Sequence, residues 1–182
     1  MKTNDKDIRK RLVEYLEKKI TTDEFILHEL GICLSATIAD VVFVDDKLHG
    51  YEIKSDRDTL QRLSKQVLDY NKVFDTMTLV VSSTHLEKSM KIIPEWWGVI
   101  CIDFDRFDII RTPQINTHVE VRSCAELLWS NESEKLLREY QLFKGLSGKA
   151  RRFLWDRISL NFDHEFVRNY IINCFKTREN WK

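Results

Sequence analysis

Two short apolar runs constrain this chain more than anything else in it. They are Ala39-Asp40-Val41-Val42-Phe43-Val44 and Tyr51-Glu52-Ile53-Lys54-Ser55, joined by the polar stretch 45–50. The β-branched residues from Thr37 to Val44 mark a strand. Asp45, Asp46 and Gly50 supply turn chemistry, with Gly50 available for a positive φ. A hairpin follows, and it brings Asp40 alongside Glu52. Side chains alternate faces along a strand, so Glu52 and Lys54 face one way and Ile53 the other. Two carboxylates and an ammonium on one face suit a hard divalent cation and an activated water. The same residues also fit a plainer arrangement, the wet face of an antiparallel sheet with a cross-strand ion pair.

The flanking segments extend the hairpin into a mixed core. Asp5 to Ile20 has apolar residues at helical spacing, with Ile8, Leu12 and Leu16 on one stripe. Phe25 to Leu30 is too short for its period to decide between a strand and a helical turn. If it is a strand, Glu29 can aim at the same place as Asp40; otherwise it is a surface carboxylate. Ser55, Asp56 and Asp58 are good helix caps, and a helix from there to about Val73 buries Leu60, Leu63 and Val67. Gln66 and Tyr70, four apart, share one side of that helix. There they either face the hairpin or serve as a solvated amide and a core ring. Thr76 to Ser83 reads as a strand buried inside a sheet. His85 to Ile93 reads as a helix and Val99 to Phe104 as a further strand, with Phe107 to Arg111 as an edge strand. The tryptophans of Pro94-Glu95-Trp96-Trp97-Gly98 are expected to plug the core. From His118 onward the chain reads as helical, broken at Gly145-Leu146-Ser147-Gly148. The expected architecture is α/β with a mixed sheet, residues 1–110 forming the core and 111–182 a helical extension packed on it.

Composition narrows the partners. The 182 residues carry 29 basic and 29 acidic side chains, which argues against indiscriminate binding of nucleic acid. The charge is unevenly spread, however. From Lys144 to Lys182 there are nine Lys or Arg against four acids, a local excess of five positive charges. Lys149, Arg151 and Arg152 gather at the start of one helix, where cations oppose the helix dipole unless an anion compensates. An acidic metal-binding core with a basic flank is one way to hold a polyanion near a cation. No run of about 18 apolar residues is present, so no membrane span is expected. The charged N-terminus lacks a signal region, and a cytoplasmic protein is expected. Cys33, Cys101, Cys124 and Cys174 show no C-x-x-C spacing and are expected to be reduced thiols rather than a zinc ribbon.

Asp40, the Glu52-Ile53-Lys54 triplet and Gln66-x-x-x-Tyr70 together resemble the PD-(D/E)XK nuclease superfamily, whose restriction-endonuclease-like core runs α-β-β-β-α-β. The run from Gly50 to Leu63, the Trp96-Trp97-Gly98 turn, Leu127-Leu128-Trp129 and the closing Arg178-Glu179-Asn180-Trp181 resemble a bacterial and phage family placed in that superfamily. Two positions depart from the pattern. Ala39 stands where proline is frequent, and Ile38 stands where related sequences often carry arginine.

The resemblance implies Mg²⁺ or Mn²⁺ held by Asp40, Glu52 and the Ile53 carbonyl, with Glu29 as a further ligand. It implies Lys54 as the catalytic lysine and Gln66 as the group orienting the metal ligands. Tyr70, Lys149, Arg151 and Arg152 would hold the substrate backbone. The implied activity is cleavage of DNA phosphodiesters, with a homodimer as the assembly suited to cutting both strands. An RNA nuclease of the same fold, or a module that keeps the fold to bind nucleic acid or protein without catalysis, are the alternatives.

Overall fold

β-branched and aromatic residues dominate the segments that become strands, and apolar residues spaced three and four apart define the helices. The structure, a computed structural model, describes residues 3–178 except Phe104. The motif residues Glu179, Asn180 and Trp181 and the end of the expected strand at Phe104 therefore lie outside the described residues. In chain order the elements are α1 (Asp5–Glu17), β1 (Phe25–Ile32), β2 (Thr37–Val44), β3 (Leu48–Lys54), α2 (Leu63–Tyr70), β4 (Thr76–Val81), α3 (Ser83–Met90), β5 (Gly98–Ile102) and β6 (Phe107–Arg111). The helices α4 (Val121–Ala125), α5 (Ser130–Glu139), α6 (Arg151–Asn161) and α7 (His164–Thr177) follow.

The strands form one mixed sheet in sequence order, β1 to β6. β1, β2 and β3 are an antiparallel meander, β3, β4 and β5 are parallel, and β6 returns antiparallel. The fold is thus α+β with a mixed sheet. On one face α1 buries Ile8, Leu12 and Leu16 against Val41, Phe43, Tyr51, Ile53, Val80 and Ile102. On the other, α2 and the helices α4 to α7 share a single larger core with Val42, Val44, Leu79, Val81 and Val99. The C-terminal helices are therefore continuous with the sheet's core. Trp97 is wholly buried there, and its indole N–H donates to Asn71 Oδ1 at 2.9 Å. Among the described residues no helix is long and apolar enough to cross a membrane.

Two local expectations are corrected, and one left open is decided. Gly50 lies inside β3, and the positive-φ glycines are Gly145 and Gly148. Gly50 is required for space: a Cβ there would come within 2.3 Å of Met77 Sδ and 2.9 Å of the Phe74 ring. The helix after the hairpin is shorter than its caps suggest. Ser55 closes a turn on Asp58, and Asp56 accepts from Thr3 and Thr84, so these polar residues serve tertiary contacts and α2 begins only at Leu63. Phe25 to Leu30, open by period alone, is the edge strand β1.

Candidate functional site

The candidate site lies where β2 and β3 part. Their ladder runs from Val44↔Leu48 to Val41↔Tyr51 and stops, while β2 continues beside β1 to Thr37. Side-chain contacts take over from that point. Asp40 Oδ2 accepts the Ile53 N–H at 2.8 Å, and the Tyr70 hydroxyl, reaching in from α2, sits 2.8 Å from the Ile38 carbonyl oxygen.

A phase change in β1 and β2 accompanies this split. Leu27 and Leu30 lie three apart yet face the same core, as do Val42 and Ala39 on the partner strand. Simple alternation would put each pair on opposite faces. The switch falls at Glu29, whose φ is +55°, and at Asp40 opposite it. A non-glycine residue in the left-handed region stores roughly 1–3 kcal/mol of strain. The consequence is that Asp40 leaves the core-facing row and points along the sheet toward β3, with α1 above it.

Arg9, on α1, completes the setting of Asp40. Its Nη1 donates to the Asp40 carbonyl at 2.6 Å and its Nη2 to Asp40 Oδ1 at 2.9 Å, while its Nε reaches Asp5 at 3.2 Å. The sequence did not single out Arg9. Next to the apolar stripe residue Ile8, it reads as an ordinary surface cation, and only the packing of α1 across β2 brings it to the carboxylate. Burial pushes the Asp40 carboxyl above its usual range, against the pull of the Ile53 N–H and Arg9.

Glu52 and Lys54 face the larger core together, as the period of two requires, and both are buried, at 2% and 5% exposure. Lys54 Nζ donates to Glu52 Oε1, Gln66 Nε2 donates to the same oxygen at 2.6 Å, and the Tyr70 hydroxyl contacts Oε2. Burial first, and then the negative charge of Asp40, raise the pKa of Glu52; Lys54 and Tyr70 oppose the rise. Gln66 and Tyr70 thus do meet the hairpin, one turn apart on α2.

Tyr70 takes a different place from the one expected. It is wholly buried, its ring packed 5.8 Å from Phe74 and 5.9 Å from Trp97, and its hydroxyl is held by Glu52 and Ile38. It therefore positions Glu52 and does not reach out to a phosphate. Glu29 is exposed, and it lines a cleft of about 780 Å³ along the free edge of β1. Arg151 and Ile38 line the same cleft. Arg151 stands over Trp155 and Arg152 over Phe153, so these cations rest on rings rather than on carboxylates. Lys149 and Arg152 are exposed beside the start of α6. Cys33, Cys101, Cys124 and Cys174 are free thiols, and burial raises the pKa of each.

Asp40, Glu52 and a backbone carbonyl are the oxygen groups that a hard cation would use here. Among the described residues no cluster of three or more His, Cys, Asp or Glu side chains can hold a metal, so a backbone oxygen must complete any set built on Asp40 and Glu52. The Ile53 carbonyl is such an oxygen. The N–H and C=O of one strand residue leave on the same edge, and the Ile53 N–H points to Asp40. The next carbonyl, of Lys54, turns the other way and accepts Ser82 N–H at 3.0 Å. The Ile53 carbonyl therefore opens on the Asp40 side, where the ladder has ended. Gln66 Oε1, beside Glu52, is buried without a hydrogen-bond partner, an acceptor suited to a water bound in the site.

The family described as bacteriophage P4 protein cII matches residues 1–181. The chain is 26% identical over 183 aligned positions to "Protein cII" of Enterobacteria phage P4, covering 97% of this chain and 69% of the relative. A solved structure of a protein of unknown function from Silicibacter pomeroyi is similar with a TM-score of 0.48 and 16% identity, over 79% of this chain and 92% of that one.

Proposed function

The chain belongs to the bacteriophage P4 protein cII family, and we propose that it acts as a metal-dependent nuclease, cleaving DNA phosphodiesters at the split between β2 and β3. The observation that carries this reading is the convergence of Lys54, Gln66 and Tyr70 on Glu52, with Asp40 held across the gap by Ile53 and Arg9. A solvated ion pair on a sheet face would need none of these buried supports.

Asp40, Glu52 and the Ile53 carbonyl would hold Mg²⁺ or Mn²⁺ through oxygen ligands. A cation there supplies Lewis-acid polarisation of the phosphate and lowers the pKa of a bound water. The chain's own groups do the rest. Lys54, paired with Glu52 at the site, offsets the charge that develops on the phosphate, a preorganised electrostatic contribution. Gln66 and Tyr70 fix the rotamer of Glu52, and Arg9 fixes that of Asp40, in the manner of supports behind metal ligands. The basic C-terminal helices hold the polyanion.

One observation favours a second reading. Both oxygens of Glu52 already have protein donors, which suits a buried network retained for structure in a non-catalytic binding module. Cleavage assays separate the two. Supercoiled plasmid, linear duplex, single-stranded DNA and structured RNA are incubated with Mg²⁺, Mn²⁺ or EDTA, using the wild type, Glu52→Gln and Lys54→Ala. Metal-dependent cutting that both variants lose supports the nuclease, and the preferred substrate decides between DNA and RNA. No cutting of any substrate by folded wild-type protein removes it in favour of the binding module.

A further inference from the structure

The α1 face of the sheet holds a second cavity, remote in chemistry from Asp40 and Glu52. α1 ends at Glu17 and roofs only part of that face. Beyond its last turn the sheet is open, and a cavity of about 330 Å³ lies over β2, β3 and β4. That volume is at the lower end of small-molecule sites.

Its floor is an aromatic platform. Phe43 and His49 are direct cross-strand partners with ring centroids 6.0 Å apart, and Tyr51 follows on the same face of β3. The His49 ring is pinned at both nitrogens, Nδ1 lying 2.7 Å from Thr76 Oγ1 and Nε2 2.9 Å from Asp45 Oδ1. Two hydroxyls open into the space. Tyr51 and Thr78 are register partners on β3 and β4 and are 7% and 3% exposed, and among the described residues neither hydroxyl has a hydrogen-bond partner. Both hydroxyls are open to the cavity, so a water or a ligand seated there can supply their hydrogen bonds.

The rim carries the charge. Lys19 sits 4.5 Å over the Tyr15 ring, and Arg111 donates through Nε and Nη2 to the Trp97 and Pro94 carbonyls, leaving Nη1. Neither cation has a carboxylate partner among the described residues. Asp45, the one acid lining the cavity among the described residues, is engaged by His49 and by the Lys47 N–H at 2.7 Å. An aromatic floor with the Phe43 and His49 rings tilted 42° to each other, two hydroxyls open to the cavity and cations without carboxylate partners at the mouth offer ring contacts, polar edges and charge to a heteroaromatic ring with an attached anion.

We propose that this cavity binds a single nucleotide, its base on the Phe43, His49 and Tyr51 platform with an edge toward the Tyr51 and Thr78 hydroxyls, and its phosphate toward Lys19 and Arg111. The nucleotide is either a free monophosphate or one unit of a strand. This assignment stands independently of the nuclease reading, since the cavity shares no lining residue with that site and needs no metal.

The test is calorimetric titration of the full chain in EDTA with the 5′-nucleoside monophosphates, a nucleoside, inorganic phosphate and a short oligothymidylate. The proteins are the wild type, Tyr51→Phe and Lys19→Met, with melting temperatures as the folding control. At least one monophosphate is expected to bind more tightly than the nucleoside or phosphate alone. Each variant should weaken it about fivefold, the worth of one hydrogen bond or exposed charge contact. Oligothymidylate binding that exceeds the monophosphates and falls in the same variants identifies a strand as the source. No binding of monophosphate or oligonucleotide at about 1 mM by folded wild-type protein, a weak affinity on the usual scale, overturns the proposal. So does binding that is indifferent to both variants.

Discussion

The carboxylate of Asp40 accepts the backbone N–H of Ile53 at 2.8 Å, where a strand-to-strand bond would otherwise lie. A side chain thus closes the end of the β2–β3 ladder, and Arg9 steadies it from α1. Asp40→Ala leaves the Ile53 amide and the Arg9 guanidinium without this partner and should cost about 1–3 kcal/mol. Asp40→Asn keeps an acceptor for Ile53 and should cost less. Denaturant unfolding measures the difference. Faster amide exchange at Ile53 in the alanine variant alone would locate it.

Tyr70→Phe keeps the ring between Phe74 and Trp97 but removes the hydroxyl shared by Glu52 and Ile38. Under the nuclease reading, Mn²⁺ affinity should fall about 10–100-fold, the usual effect of removing a group that supports a metal ligand. Titration calorimetry with Mn²⁺ reads it directly. An unchanged affinity in a folded variant would remove Tyr70 from the positioning of Glu52.

Gly50→Ala places a methyl against Met77 and Phe74 inside the core. Overpacking of this kind costs about 1–3 kcal/mol. Met77 Sδ is the nearer atom and belongs to a flexible side chain, so Met77→Ala in the same chain should cost less than the sum of the two single changes. A double-mutant cycle in urea tests the coupling.

Arg168, on α7, donates to the buried Asp75 at 3.2 Å, and Asp75 also accepts the Leu48 N–H at 2.8 Å. The pair joins the C-terminal helices to the sheet. Arg168→Met leaves a buried carboxylate short of its cation and should cost about 3–5 kcal/mol. A loss below about 1 kcal/mol, the range of exposed pairs, would show that the contact contributes little to holding the helices on the sheet.

His164 lies 3.7 Å from the same Asp75. Burial, aided by Arg168, holds its pKa below the ordinary histidine value of 6.5, although Asp75 pulls the other way. The unfolded chain therefore binds this proton more readily than the folded one. The contribution is fully favourable above 6.5 and is lost as the pH falls below it. Thermal melts between neutral pH and about pH 5 should show a decline that His164→Gln reduces. Identical slopes for the two proteins would rule out His164 as the source.

The local order of elements followed from residues near one another in sequence. The β-branched runs gave strands, and the period of two set Glu52 and Lys54 together on one face with Ile53 on the other. The spacing of four put Gln66 and Tyr70 on one side of α2. Boundaries were less legible because the polar residues that cap helices are the same ones that make tertiary contacts. Ser55, Asp56 and Asp58 bond to each other and to Thr3 and Thr84 instead of starting α2.

What only the tertiary structure decided depends on distant segments arriving at one place. Arg9 reaches Asp40 from 31 positions away, and Tyr70 reaches Ile38 from 32. The phase change at Glu29 and Asp40 is invisible to a pattern of alternation, because the pattern presumes an unbroken pleat. The cavity on the α1 face exists because a helix of 13 residues is too short to roof six strands. Periodicity thus determined which way side chains face wherever the pleat is unbroken, as at Glu52 and Lys54, since there it depends on local backbone geometry alone. Packing decided what each of them meets, since that depends on where the other elements end.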